Sequence, residues 1–173
     1  MEFEEKHGLK IWWLYLVTAA TIFPTAALLI FHNNGLSIAE LKEMCFAPVL
    51  ALLSPFLIIF LVQQHKLTLK ITAEEVSFRY SPFHLTLSHF RWERIEKAYI
   101  KKYDAFSEYG GYGVKNRLWF KFKDKAYLLN DKNRGLQLEF KNGKKLLFSS
   151  NKIEDQEMFL INLKTRYNIQ AIQ

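Results

Sequence analysis

Two long apolar runs open the chain, and an alternating pattern of apolar and polar residues follows them. Residues 11–31 and 44–62 contain no Asp, Glu, Lys or Arg. A helix needs roughly 20 apolar residues to cross a hydrocarbon core of about 30 Å. The pattern therefore predicts two transmembrane helices that form a hairpin, preceded by a leader at 1–10 and joined by a polar loop at 32–43.

Two other kinds of protein also contain long apolar helices. A helix in the core of a soluble protein normally keeps a polar stripe for solvent, which neither run has. A cleaved secretion signal favours a net positive start, whereas the leader carries Glu2, Glu4 and Glu5 against Lys6 and Lys10. We therefore expect both runs to be membrane helices and the first to be retained in the mature protein.

From residue 66 onward the apolar positions alternate instead of recurring at helical spacing. Leu67, Leu69 and Ile71 alternate with polar residues, which is typical of a half-buried strand. Strand character recurs in eight segments, which together predict about seven strands: 66–72, 76–80, 83–90, 96–103, 118–122, 126–129, 136–140 and 144–148. Asn142 and Gly143 favour a two-residue hairpin turn between the last two segments. Apolar residues at helical spacing then predict a closing helix from residue 151 to about Asn168.

The distribution of charge adds a topology to these elements. The formal net charge is +7, and 21 of the 24 Lys and Arg residues follow residue 62. Lys6 and Lys10 precede the first run and Lys66 and Lys70 follow the second, whereas the loop between them has Lys42 alone. Because cytoplasmic flanks are enriched in Lys and Arg, both termini and the strand-rich domain are predicted to be cytoplasmic. The protein is then a multi-pass protein of the cell (inner) membrane.

A stretch rich in glycine and tyrosine interrupts the strands at 104–117. It contains Tyr109, Gly110, Gly111, Tyr112 and Gly113, and such glycines supply the positive φ angles that an irregular loop requires. Two interpretations are open. Either the tyrosines cap the end of the domain, or their exposed ring edges and the mobile backbone contact a protein or a lipid.

The segment YGGYGVK at 109–115, followed by NRGLQLE at 133–139, resembles a paired motif of small bacterial membrane proteins with two N-terminal helices and a PH-like (pleckstrin-homology-like) domain. Here Tyr112 stands where Trp is usual, and the segment between the motifs is longer. The resemblance covers most of the chain and implies an α+β membrane protein. A two-helix transmembrane hairpin would be followed by a PH-like, seven-stranded antiparallel, partly open barrel with a C-terminal helix at 66–168, and by a tail at 169–173. The family has no established activity.

Neither catalytic nor metal-binding spacing is recognisable in the sequence. His84 and His89 are five residues apart, so on a regular strand they point to opposite faces. The glycine loop lacks the Gly-Lys-Ser/Thr ending of a phosphate-binding loop. We therefore expect no enzyme activity, no metal, no cofactor and no small-molecule substrate. The basic composition would suit nucleic acid, but the predicted topology explains the same excess of cations, so no nucleic acid is expected.

These observations favour a membrane-anchored, non-enzymatic interaction or scaffold module that presents a PH-like domain at the cytoplasmic membrane face. Its partners would be the lipid bilayer and another membrane protein or a second copy of the chain. The candidate residues for that partner contact are Tyr109, Gly110, Gly111, Tyr112, Gly113 and Arg134.

The alternative is an anionic-lipid-sensing domain that docks through a basic face. Each Lys or Arg near an anionic membrane contributes about 1 kcal/mol to such binding. The turn at 72–75 is acidic, however, where headgroup-binding PH domains are basic, so no phosphoinositide pocket is expected there. The candidate residues for lipid contact are Lys97, Lys101, Lys102, Lys115, Arg117, Lys121 and Lys123. A merely solvated basic face is an equally open interpretation.

Overall fold

The computed structural model describes residues 1–9, 12–31, 37–44, 46–118, 121–130 and 132–173. The side chains of residues 28, 41, 121 and 122 lie outside this description as well. The chain forms two compact units, Met1–Lys10 with His65–Gln173, and Ile11–Gln64. We call the first the sheet unit and the second the helical insert, because the second interrupts the first in the sequence.

The helical insert contains α1 (Trp12–Phe31), α2 (Ile38–Glu43) and α3 (Ala47–Gln63). α1 and α3 contact each other. Each Ser and Thr hydroxyl of these two helices donates to a carbonyl of its own helix, in the pairs Thr18 to Leu14, Thr21 to Thr18, Thr25 to Thr21 and Ser54 to Ala51. Such bonds satisfy a hydroxyl without water. Both helices can therefore lie in apolar surroundings.

The predicted two-helix transmembrane hairpin is wrong. Among the described residues, α1 is the one helix that is long and apolar enough to cross a membrane by length and composition. The second predicted span starts at residue 44, but α3 begins only at Ala47, because Phe46 has a left-handed φ of 55° that a right-handed helix cannot contain. With 17 residues, α3 is about 25 Å long, short of a hydrocarbon core of about 30 Å.

The predicted loop at 32–43 is only partly described. Its second half forms α2, which begins with a capping box between Ser37 and Glu40. Residues 32–36 lie outside the described residues, as do residues 10 and 11 at the predicted start of the first helix.

The sheet unit consists of two sheets and two helices. Sheet A has the order β1-β2-β3-β4, and all its neighbours are antiparallel. Sheet B has the order β5-β8-β9-β7-β6, in which β7 and β9 are parallel. The strands are β1 (Glu2–Gly8), β2 (Lys66–Thr72), β3 (Glu75–Ser81), β4 (Ser88–Arg91), β5 (Ile95–Lys102), β6 (Gly113–Arg117), β7 (Lys121–Leu128), β8 (Arg134–Phe140) and β9 (Lys145–Ser149), and the helices are α4 (Ala105–Tyr109) and α5 (Ile153–Tyr167).

The predicted single seven-stranded barrel, and with it the PH-like architecture, is therefore also wrong. The predicted leader supplies β1, and the predicted loop at 104–117 supplies both α4 and β6. Alternation shows which residues face a core, but it does not show which strands pair. β1 pairs across the helical insert and β7 pairs in parallel with β9, and neither pairing is visible in a local pattern.

The main core lies between the two sheets. Leu67, Leu69 and Ile71 of β2 are buried there with Leu136 and Leu138 of β8. α5 covers this core with two buried leucines, Leu160 and Leu163. A second, smaller cluster lies apart from it and comprises Tyr103, Ala105, Tyr109, Ala126, Leu128 and Leu147. The segment around α4 is thus packed onto sheet B.

Candidate functional site

The chain enters and leaves the helical insert at one end of sheet A. Gly8 pairs with Lys66, and Lys66 pairs with Ser81, so β1 ends, β2 begins and β3 ends at the same place. The ladder continues by one step, since Leu9 N donates to His65 O at 3.3 Å. We call this region the insert end of sheet A.

Buried polar residues of β1 attach this strand to the end of β9. Glu5 accepts hydrogen bonds from the Ser150 hydroxyl and, at 2.6 Å, from Asn151 N. His7 Nε2 lies 3.2 Å from the Ser149 hydroxyl. All of these side chains except that of Asn151 are buried. β1 is therefore a fixed part of the sheet unit rather than a leader outside it.

The electrostatics of Glu5 agree with this attachment. Burial by itself would raise the pKa of the Glu5 carboxyl, but the contacts from His7, Ser150 and Asn151 outweigh it, so the pKa lies below its ordinary value. His7 Nδ1 approaches Glu5 Oε1 to 3.1 Å. The ionised carboxylate is the form that the fold stabilises.

Glu5, His7 and Ser149 lie in contact in the sequence acid, imidazole, hydroxyl, which is also the arrangement of a catalytic triad. A nucleophile must reach a substrate, whereas Ser149 is fully buried. Its oxygen also accepts a hydrogen bond from Leu129 N at 2.9 Å. The arrangement fits a structural attachment and gives no support to catalysis.

A second set of this kind lies on the other face of sheet A. His89 Nδ1 is 2.6 Å from Glu75 Oε1 and 3.0 Å from the Ser77 hydroxyl. In an acid–base relay the two ring nitrogens face different partners, but here one nitrogen faces both. This set cannot pass a proton from Ser77 to Glu75 through the ring. Among the described residues, no group of three or more His, Cys, Asp or Glu could hold a metal ion.

The tyrosine-glycine stretch is ordered by α4 rather than being a plain loop. Tyr109 is 1% exposed, its hydroxyl donates to Asp124 Oδ1 at 3.4 Å, and burial raises its pKa. Gly110, Gly111 and Gly113 have φ values of 72°, 121° and 100°, which agrees with the predicted need for positive φ. Tyr109 thus packs inside, whereas Tyr112 is partly buried against the same cluster.

The exposed aromatic ring of this segment belongs to Phe106, which was not among the predicted contact residues. Phe106 is 62% exposed and its ring lies 5.4 Å from that of Tyr112. Leu118 is exposed as well, and its Cδ2 atom lies 3.5 Å from where a Cβ would stand if Gly110 had one. We call Phe106, Tyr112 and Leu118 the α4 patch. Asp104 caps α4 by accepting from the Phe106 and Ser107 amides, and an Asp at that position was the available signal for this helix.

The other predicted contact residues are distributed unevenly. Arg134 pairs with Glu157 at 2.9 Å. Lys101 and Arg117 both pair with Glu108, at 2.7 and 3.2 Å, so two of the seven candidate lipid contacts already have a carboxylate partner. Of the remainder, Lys102 and Lys123 are exposed, Lys97 and Lys115 are partly buried, and the side chain of Lys121 lies outside the described residues.

No protein-family model matches this chain, and no curated protein sequence is significantly similar to it. The resemblance to small bacterial membrane proteins accordingly stays a prediction. The function must be inferred from the geometry of the sheet unit and from the composition of the helical insert.

Proposed function

We propose that this protein is a membrane-anchored, non-enzymatic interaction module. The helical insert embeds in a bilayer and holds the sheet unit at its surface. There the α4 patch binds another membrane protein or a second copy of the chain. The lysine distribution favours the cytoplasmic face for the sheet unit, because cytoplasmic flanks are enriched in Lys and Arg.

The observation that carries this proposal is the pairing of Gly8 with Lys66. The sheet unit includes strands from both sides of an apolar insert, because the chain leaves the sheet after Gly8 and returns to it at Lys66. α1 begins four residues after Gly8 in the sequence. Such a short connection suits a module that acts at the membrane surface.

Two features of α1 support a bilayer as the surroundings of the insert. Only 6% of its most apolar window is buried, whereas the core helix of a soluble protein is mostly buried. A cleavable signal is also disfavoured, because cleavage after α1 would remove β1 together with its buried Glu5 and His7. Retention of the first helix is thus supported by the fold as well as by the acidic residues before it.

The α4 patch is the better candidate for partner contact, because the exposed ring of Phe106 lies beside the partly buried ring of Tyr112, next to the helix that Asp104 caps. Exposed aromatic residues are enriched in protein interfaces. The alternative, lipid sensing through the predicted basic face, has less support since Lys101 and Arg117 are paired with Glu108. The carboxylate of Glu108 offsets part of the positive potential of these two side chains, which weakens their attraction for an anionic lipid headgroup.

Site-specific photocrosslinking of the full chain in native membranes tests this proposal. A photoreactive amino acid replaces Phe106 in one variant and Asn142 in the control variant; Asn142 is an exposed residue of the β8–β9 turn. We expect one reproducible protein adduct from position 106 and none from position 142. Equal labelling from both positions, or no adduct combined with a turnover by the purified protein, would overturn the proposal.

A further inference from the structure

An exposed apolar loop follows β3 at 82–87. Phe83 is 70% exposed and Leu85 is 89% exposed, and Leu87 is also exposed. The loop contains no Asp, Glu, Lys or Arg. Exposed apolar side chains that lie together, unlike scattered single ones, are typical of a protein or membrane contact.

The apolar loop is fixed at the insert end of sheet A. The ring of Phe83 stacks on Tyr80 with centroids 5.9 Å apart and lies 5.7 Å from the ring of His65. The backbone is held as well, since His84 N donates to Tyr80 O at 2.7 Å. Phe83 is therefore presented beside the residue at which the chain returns from the helical insert.

His84 lies between Phe83 and Leu85 and turns inward. Its ring packs edge-on against Phe78 and Tyr127. Burial first, and then the charge of Lys125, lower the pKa of His84 below its ordinary value. The loop accordingly carries no charge at neutral pH, which is a requirement for contact with the apolar part of a bilayer.

A row of basic residues lies on the outer face of sheet A at the same end. Lys6, Thr68 and Arg79 are register neighbours on three adjacent strands, so the backbone positions of Lys6 and Arg79 are about 10 Å apart at a strand spacing of about 4.8 Å. Lys66 stands two residues from Thr68. Within the described part of the chain, none of these three cations has a salt bridge. The nearest acid in this pattern, Glu4, lies one row further from the insert end, opposite Lys70.

We propose that the insert end of sheet A is itself a membrane-contact surface, in which Phe83 and Leu85 enter the interface of the bilayer and Lys6, Lys66 and Arg79 contact anionic lipid headgroups. This inference rests on the proposed function, because the insert brings this end to the membrane. Trp12 follows Gly8 by four residues, a length that extends to roughly 14 Å at most. The arrangement combines exposed apolar side chains with neighbouring Lys and Arg residues, as in proteins that bind the surface of anionic membranes.

Depth-dependent fluorescence on the reconstituted full chain tests the apolar loop. In a Cys45→Ser background, an environment-sensitive probe is attached to Leu85→Cys or, as a matched control, to Glu74→Cys. Glu74 is exposed in the turn at the opposite end of sheet A. In vesicles of neutral lipid with phosphatidylglycerol, we expect the Leu85 probe to shift to shorter wavelength and to be quenched by a spin-labelled lipid. The Glu74 probe should instead be quenched by an aqueous quencher.

The basic row is tested in the same assay. Omitting phosphatidylglycerol should weaken the quenching of the position 85 probe by the spin-labelled lipid. In the triple variant Lys6→Gln, Lys66→Gln, Arg79→Gln, this quenching should no longer depend on phosphatidylglycerol. The control variant Lys97→Gln, Lys102→Gln, Lys123→Gln should keep it. If the control variant loses the dependence and the first variant keeps it, the cationic contact lies on sheet B and the inference is overturned.

Flotation of the vesicles separates the two possible failures. If the protein floats with the vesicles while the Leu85 probe is as accessible to the aqueous quencher as the Glu74 probe, the loop inference is overturned and the anchoring stands. If the protein does not float with the vesicles, the proposed anchoring and the loop inference are both overturned.

Discussion

Gly8 and Lys66 lie opposite each other in the β1–β2 ladder, although residues 9–65 separate them in the sequence. The sheet unit is therefore discontinuous in the chain and continuous in space. This relationship makes the residues before the insert part of the folded domain. It also determines which truncations of the protein can fold.

Replacing residues 10–64 by Asn-Gly should give a folded domain without the insert. Leu9 and His65 already pair through their backbones, and a two-residue Asn-Gly loop is the favoured connection between such strands. We expect a cooperative thermal transition by circular dichroism. The matched control is the segment 66–173, which lacks β1 and leaves Ser150 and Asn151 without the Glu5 carboxylate. An equally stable control would mean that β1 is dispensable.

Glu5→Ala should lower the free energy of unfolding by about 3 kcal/mol. The substitution leaves a buried hydroxyl and a partly buried backbone amide without an acceptor, and the loss at a buried group costs roughly 1–3 kcal/mol. Glu4→Ala is the matched control on the same strand, since Glu4 is exposed and surface changes usually stay within about 0.5 kcal/mol. Denaturant unfolding of the two variants measures the difference. Equal losses would show that the buried attachment contributes nothing.

The same carboxylate predicts an acid-sensitive stability. Because the pKa of Glu5 is lowered in the folded state, its contribution is fully present above the unfolded value of about 4.3. It is lost as the pH falls through the folded pKa, since the unfolded state then binds more protons. The free energy of unfolding, measured between neutral and acidic pH, should therefore fall more steeply with decreasing pH for the wild type than for Glu5→Gln. Parallel curves would contradict the electrostatic account of this residue.

Gly135→Ala should be strongly destabilising, and Gly143→Ala only mildly so. A Cβ at Gly135 would overlap the Phe148 carbonyl on the neighbouring strand, and an overlap with backbone cannot be relieved by a rotamer change, so we expect about 3 kcal/mol or more. Gly143 has open space around it and a φ of 78°, which costs Ala about 1 kcal/mol. Thermal unfolding compares the two variants. Similar losses would show that the close approach at residue 135 is relaxed in solution.

Several elements could be predicted from the sequence because their signals are local. The alternation at 66–72 corresponds to β2, and the apolar spacing from 151 corresponds to α5. β8 and β9 do turn at Asn142 and Gly143, but Glu139 pairs with Lys145, so the connection is longer than the predicted two residues, and of this pair only Gly143 has a positive φ. In each case the residues that specify the element lie within it or next to it.

The remaining elements depend on partners that are distant in the chain. β1 was hidden because Glu5 and His7, two polar residues, occupy inward positions that usually hold apolar side chains. Conversely, Phe83, Leu85 and Leu87 alternate like a strand, but β4 begins only at Ser88. The alternation there places apolar side chains at the surface rather than in a core.

The candidate site was predictable only in part. The glycines at 110, 111 and 113 signalled positive φ correctly, but the pattern could not show that Tyr109 packs onto sheet B while Phe106 is exposed. The outward cations of the insert end come from β1, β2 and β3 and meet only once those strands are paired. The spacing of these residues in the sequence therefore could not predict that they lie together.

Alkaline carbonate extraction of membranes tests the central claim most directly. The full chain and the variant with residues 10–64 replaced by Asn-Gly are expressed in the same cells, and both fractions are probed after extraction. We predict that the full chain stays in the membrane pellet, because carbonate does not release protein that is embedded in the bilayer, whereas the variant without the insert is found in the supernatant. Release of the full chain into the supernatant would contradict the account.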